Sequence, residues 1–191
     1  MSLTNTFADF VHHLSPLEDE LKKSLQNQVG HLHLQPGDHF IEAGRNCTSI
    51  AYIKKGLFRY YYLSDDGKEY TKGFFDQNSI LIAYDAILED RPSYYTIEAL
   101  EPSHLEIIDY NKFIKLLSTK ASFQNFIITM LQKGYLAKVK REREFLLFDA
   151  EERYRSFLKQ YPGLDSRIKQ HIIASYLGIT PESLSRIRKN L

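Results

Sequence analysis

The sequence predicts an α+β fold in three parts: an N-terminal double-stranded β-helix, or jelly-roll barrel, then one long helix, then a C-terminal helix–turn–helix. Three observations predict it. Short alternating runs punctuated by turn residues about every ten positions fill the first half. A proline-free stretch with apolar residues at helical spacing follows. Last, "IASYLGITPESLSRIRKNL" reads as two short helices hinged on one glycine. The chain accordingly divides into residues 1–117, 118–148 and 149–191.

A length of 191 residues and a hydrophobic fraction of 43% fit one compact domain or two small ones with a real core. No apolar run of about 18 residues offers a membrane span. The opening "MSLTNTFADFVHHLSPLEDE" lacks the basic-then-apolar order of a secretory signal, so the cytoplasm is the expected compartment. Cys47 is the only cysteine, which excludes an intramolecular disulfide and any zinc or iron–sulfur site built on the cysteines of one chain. A net charge of +1 names no partner, but its distribution is informative. Across 166–191, Arg167, Lys169, Arg186, Arg188 and Lys189 face the single acid Glu182, a basic end suited to a nucleic acid.

An opening helix is expected over residues 7–28. Beyond it, "QPGD", "KKG", "SDDGK" and "DRPS" mark turns between candidate strands at 31–35, 50–54, 57–63, 69–75, 94–100 and 104–109. The period changes near Asn111. In 118–148, Phe123, Ile127, Met130, Gly134 and Ala137, with Phe145 beyond, form a coiled-coil-like stripe. An interior glycine costs about 1 kcal/mol relative to alanine unless a close backbone approach compensates. A second copy crossing at Gly134 would compensate, which makes this the expected dimerisation helix; burial against its own domain is the alternative. The run "KVKRERE" reads as a solvated face, and "YPGLD" closes the next helix.

In the closing motif Gly178 is the pivot. Ile173, Leu177, Ile179, Leu184 and Ile187 supply apolar contacts from both flanks, and small Ala174 permits a close crossing. Thr180 suits the N-cap and Pro181 the first helical position. Glu182, Ser185, Arg186 and Lys189 then share the polar face that would enter a major groove. Arg186 is matched to guanine O6 and N7, and Glu182, one turn earlier, to cytosine N4 and to orienting the arginine. Ser185 completes the base-contacting set. Arg167, Lys169, Ser175, Thr180, Arg188 and Lys189 are the phosphate candidates. A hairpin of helices used only for packing is the plainer alternative.

The order of these parts resembles the Crp/Fnr family of bacterial transcription regulators, whose cyclic nucleotide-binding type of barrel precedes a dimer helix and a DNA reader. Glu182, Ser185 and Arg186 are similar to that family's E-x-x-S-R base-reading face. "GLFRYYYLSDDGKEYT" looks like its central hairpin and "IEALEPSHLEII" like the strands leading out of the barrel. The resemblance implies double-stranded DNA and a second copy of the chain as partners, RNA polymerase as a further candidate, and two half-sites about one DNA turn apart. Two departures carry expectations. The stretch "NSILIAYDAILEDRPSYYTIEAL" lacks the Gly-Glu and Arg-Ser pairs that hold a cyclic phosphate in the family. That argues against the family's usual cyclic AMP site and leaves Arg59, Arg91, Ser93 and Tyr95 as candidates to line a pocket for another small-molecule effector, or as structural residues. The sequence ends at Leu191, short of the β-hairpin wing that members usually carry, so the expected reader is wingless, with fewer phosphate contacts.

No metal site is expected. In "HLHLQPGDH" the residues His31, His33, Asp38 and His39 look superficially like cupin ligands, but strand alternation turns His31 and His33 away from Leu32 and Leu34, and the leucines should take the core. No serine lies in a nucleophile elbow and Cys47 sits in the turn-like "GRNCTS", so no enzyme is expected. The competing function is an effector-binding interaction module that has lost DNA binding.

Overall fold

The computed structural model describes residues 6–117 and 121–191, the side chains of residues 121 and 122 excepted. The chain packs as two units, Met1–Tyr60 with Phe74–Gln132, and Tyr61–Gly73 with Lys133–Leu191.

The first unit opens with two helices where one was expected, α1 (Phe7–Leu14) and α2 (Asp19–Gln28). Pro16 disfavours a helical residue before it, and Ser15 is extended at φ −153° and ψ 109°. Among the described residues eight strands follow along the chain, the end of β4 and most of β5 belonging to the second unit: β1 (Gly30–Leu34), β2 (His39–Ile41), β3 (Ser49–Lys55), β4 (Leu57–Leu63), β5 (Glu69–Asp76), β6 (Ile80–Leu81), β7 (Tyr95–Ala99) and β8 (Ser103–Asp109). They form two four-stranded sheets, ordered β1-β8-β3-β6 and β2-β7-β4-β5.

The expected jelly-roll barrel is therefore corrected: neither sheet closes. Closure needs one unbroken, staggered ladder around the circumference. Here each sheet ends in a very short strand, β6 of two residues in one and β2 of three in the other, and each keeps its own two edges. The short β2 and β6 and two further helices, α3 (Tyr84–Leu88) and α4 (Tyr110–Leu117), were not anticipated, because runs of two to eight residues carry little periodic signal.

Strand alternation explains the layering. On β3, Ala51 and Ile53 enter a cluster with Phe58, Ile97 and Leu105. Ile50 and Tyr52, on the opposite face, join Phe7, Val11, Leu25 and Phe113. Phe7 stacks on Tyr52 at 6.1 Å and on Phe113 at 5.4 Å. The Phe7 N–H donates to buried Glu106 Oε2 at 2.6 Å, and Lys54 Nζ pairs with the same carboxylate at 3.0 Å. Between β3 and β4, Gly56 is obligatory: its φ is +121°, and a Cβ there would meet Ser103 Oγ at 2.0 Å.

The long helix α5 (Ala121–Leu147) runs from the first unit into the second. The expected start of the dimerisation helix at Ser118 lies outside the described residues. The second unit continues with α6 (Ala150–Gln160), α7 (Leu164–Arg167), α8 (Gln170–Leu177) and α9 (Pro181–Lys189). A capping box opens α6: Asp149 Oδ1 accepts from the Glu152 N–H, and Glu152 Oε2 from the Asp149 N–H, both at 2.8 Å. Among the described residues no helix is long and apolar enough to cross a membrane.

Candidate nucleic-acid interface

The turn between α8 and α9 forms as its residues dictate. Gly178 takes the left-handed conformation at φ +68°, and its N–H reaches the Ala174 and Ser175 carbonyls. The Ile179 N–H also donates to Ala174 O, at 3.1 Å. Ile173, Ala174 and Leu177 of α8 and Leu184 of α9 are buried, which fixes the crossing. A Cβ on Gly178 would lie 2.9 Å from Phe145 Cε1, so the pivot is needed for space as well as for backbone angle. Thr180 caps α9, its hydroxyl accepting from the Ser183 N–H at 3.2 Å, with Pro181 at the first helical position.

Opposite Leu184, Glu182, Arg186 and Lys189 are exposed and Ser185 is half-buried. Arg186 Nη2 donates to Ser183 Oγ at 3.3 Å. The Glu182 carboxyl is held below its usual range by its own backbone N–H at the helix start, then by the Thr180 hydroxyl and the Arg186 charge. An ionised acceptor and a guanidinium thus share one surface. Of the phosphate candidates, Arg167, Lys169 and Lys189 are exposed. Arg188 turns inward instead: Nε donates to Tyr154 Oη at 2.9 Å and Nη2 to Asp165 O at 3.1 Å. Ser175 is also engaged within its unit, donating to Glu69 O at 2.8 Å and accepting from the Thr71 N–H at 2.9 Å. Thr180 is the cap already described.

Two arginines escaped the sequence reading. Arg141 Nη2 donates to Tyr176 O at 2.9 Å, and Arg153 Nε to Leu177 O at 3.0 Å, so both close the C-terminal carbonyls of α8. Arg141 lies in the run that reads as a solvated face, and nothing in the spacing of that run marks it for a role on a helix distant in sequence.

The four effector-pocket candidates all have partners inside the first unit. Buried Arg59 donates through Nε to Glu98 Oε2 at 2.6 Å. Arg91 reaches Asp85 at 3.1 Å and Glu89 at 2.5 Å, and lies 3.7 Å over the Tyr94 ring. Tyr95 donates to the same Asp85 at 2.8 Å, so Asp85 brings Arg91 and Tyr95 together. Ser93 is turned back on Tyr95, donating to its carbonyl at 2.8 Å and accepting from its N–H at 3.2 Å.

On α5 the sequence-predicted stripe divides. Phe123, Ile127 and Met130 pack against the core of the first unit. Gly134 and Ala137 are exposed, with open space around a Cβ at Gly134. An exposed apolar row starts one position on, with Ile128, Leu131 and Tyr135, and continues to Val139, flanked by Leu136.

His31 and His33 face solvent as the alternation requires. They meet His104 across the ladder, His31 Nδ1 at 3.1 Å and the His33 ring stacked at 4.3 Å. Asp38 instead accepts from the Gln35 N–H at 2.7 Å in the turn. Among the described residues no group of three or more His, Cys, Asp or Glu is placed to hold a metal ion.

Residues 31–120 match the cyclic nucleotide-binding domain. The chain is 27% identical over 173 residues to the fumarate and nitrate reduction regulatory protein of Vibrio cholerae, a match covering 81% of this chain and 65% of that protein's length. It is 25% identical over 191 residues to the regulatory protein HlyX of Actinobacillus pleuropneumoniae, covering 92% and 74% of the two chains. Among solved structures, a chain from Eubacterium rectale described as a transcriptional regulator of the Crp/Fnr family superposes with a TM-score of 0.75 at 21% identity, covering 91% of this chain and 83% of that one. The c-di-GMP responsive regulator CLP of Xanthomonas campestris superposes equally well, with a TM-score of 0.75 at 15% identity and 91% of each chain covered. With a matched cyclic nucleotide-binding domain and a sequence related to these regulators over most of its length, the chain is similar to proteins of the Crp/Fnr family and shares their fold.

Proposed function

We propose that the chain is a DNA-binding transcription regulator, not an enzyme, and that it reads a roughly palindromic site as a homodimer. The observation that carries this reading is the surface of α9, where Glu182 and Arg186 are exposed one turn apart on the face opposite buried Leu184. An ionised carboxylate accepts from cytosine N4, and a guanidinium donates to guanine O6 and N7. Ser185 lies between them, and Arg167, Lys169 and Lys189 supply the charge that positions the helix on phosphate. Dimerisation falls to the exposed row on α5: Ile128, Leu131, Tyr135 and Val139 recur at steps of three and four, the seam spacing of two facing helices.

For the sensory role, the internal pairing of Arg59 with Glu98 and of Arg91 with Asp85 and Glu89 supports an effector other than a cyclic nucleotide held by a free arginine. The test of DNA reading is selection from a pool of random duplexes at low salt. Enrichment of a site with two related half-sites is the expected result. No enrichment would favour the interaction-module reading.

A further inference from the structure

Strand β5 is the outermost strand of its sheet, so one row of its backbone groups has no strand partner. In the second unit that row is occupied by the helix–turn–helix. The single hydroxyl of Ser175, on α8, donates to Glu69 O at 2.8 Å and accepts from the Thr71 N–H at 2.9 Å. These two groups lie on the same edge because residues two apart in a strand point the same way. Arg141 adds a second bridge, its Nη2 donating to Thr71 O at 3.0 Å and to Tyr176 O at 2.9 Å. Its guanidinium also lies 4.1 Å over the Tyr176 ring and 4.7 Å over the Phe145 ring. Both backbone groups of Thr71 are thus taken, one by each residue. The Thr71 hydroxyl is buried without a partner among the described residues, so the backbone carries the junction.

We propose that the free edge of β5 is a fixed support of the DNA reader, with Ser175 and Arg141 as the positioning residues that dock α8 on it. The turn at Gly178 and the α8–α9 crossing are rigidly packed, so whatever holds α8 also sets where α9 presents Glu182 and Arg186. Ser175 spends its proton and a lone pair on the strand, which replaces its sequence-predicted phosphate contact. The proposal rests on α9 reading DNA, but its first test does not.

Native-state hydrogen exchange on the full chain reads the junction directly. The Thr71 amide should be protected despite lying on a sheet edge. Ser175→Ala should cut that protection about tenfold, the worth of one hydrogen bond, whereas Thr71→Val, which keeps every backbone group, should leave it unchanged. Unaltered Thr71 protection in Ser175→Ala would overturn the proposal. On a selected duplex, Ser175→Ala and Thr71→Pro should each weaken binding, and together no more than either alone, because they break one contact; additive losses would restore Ser175 to the phosphate and overturn the support. Arg141→Ala should weaken binding with the salt slope intact, while a slope reduced by about one would make Arg141 a phosphate contact and contradict the assignment. If no duplex is bound, DNA reading fails and the exchange result still decides the junction.

Discussion

Gly178 concentrates two demands in one residue. Its φ of +68° is a conformation that costs an L-residue about 1–2 kcal/mol, and its α-carbon faces Phe145 too closely for a Cβ, 2.9 Å from Cε1. Gly178→Ala should therefore lower stability by about 1–3 kcal/mol in denaturant titration, the strain plus a displaced ring. A Gly178→Ala protein as stable as the parent would show that the turn is looser than its packing implies. His104 tests the other unit. Desolvation, followed by the charges of His33, Lys54 and His31, holds it below the usual histidine value, while Glu106 pulls the other way. With the folded value depressed from 6.5, the unfolded chain takes up the proton first. The stability from neutral His104 is thus complete above pH about 6.5 and lost as pH falls toward the folded value. His104→Gln should flatten the stability profile in that window, and an unchanged profile would contradict the shift.

Helix α5 shows what periodicity settles and what it leaves open. Its apolar spacing located the helix, yet Phe123, Ile127 and Met130 serve their own unit and the exposed row starts one position along. A helix with apolar residues on two adjacent faces gives one periodic signal for two jobs, and only packing tells them apart. Burying a leucine is worth about 1.5–3 kcal/mol. Because a two-fold interface uses each residue twice, Leu131→Glu should weaken the homodimer by two orders of magnitude or more, read by sedimentation velocity. A variant as dimeric as the parent would move the seam elsewhere. The closing motif was legible almost entirely, since its glycine pivot, threonine cap, proline and buried Leu184 are local preferences that agree. Six strands were placed to within a few residues by alternation and turn chemistry. The strands β2 and β6 and the break at Pro16 escaped because they depend on sheet pairing and on one residue. Residue type alone points Arg188 and Ser175 outward, and only tertiary contacts engage them within their own unit.

At the scale of the molecule, the two open sheets, the long helix and the helix–turn–helix match the fold of Crp/Fnr regulators, and the chemistry is distributed unevenly among them. Arg59 and Arg91 of the first unit are neutralised by carboxylates close by, whereas Arg186 and Lys189 of α9 and Lys169 before α8 are exposed. The most direct measurement is duplex selection repeated with Arg186→Ala beside the parent chain. One position in each half-site should lose its preference, by about 1–3 kcal/mol, with the remaining positions unchanged. The same site recovered with the same preference at every position would contradict the assignment of Arg186 to a base and with it the reading of α9 as the element that recognises DNA.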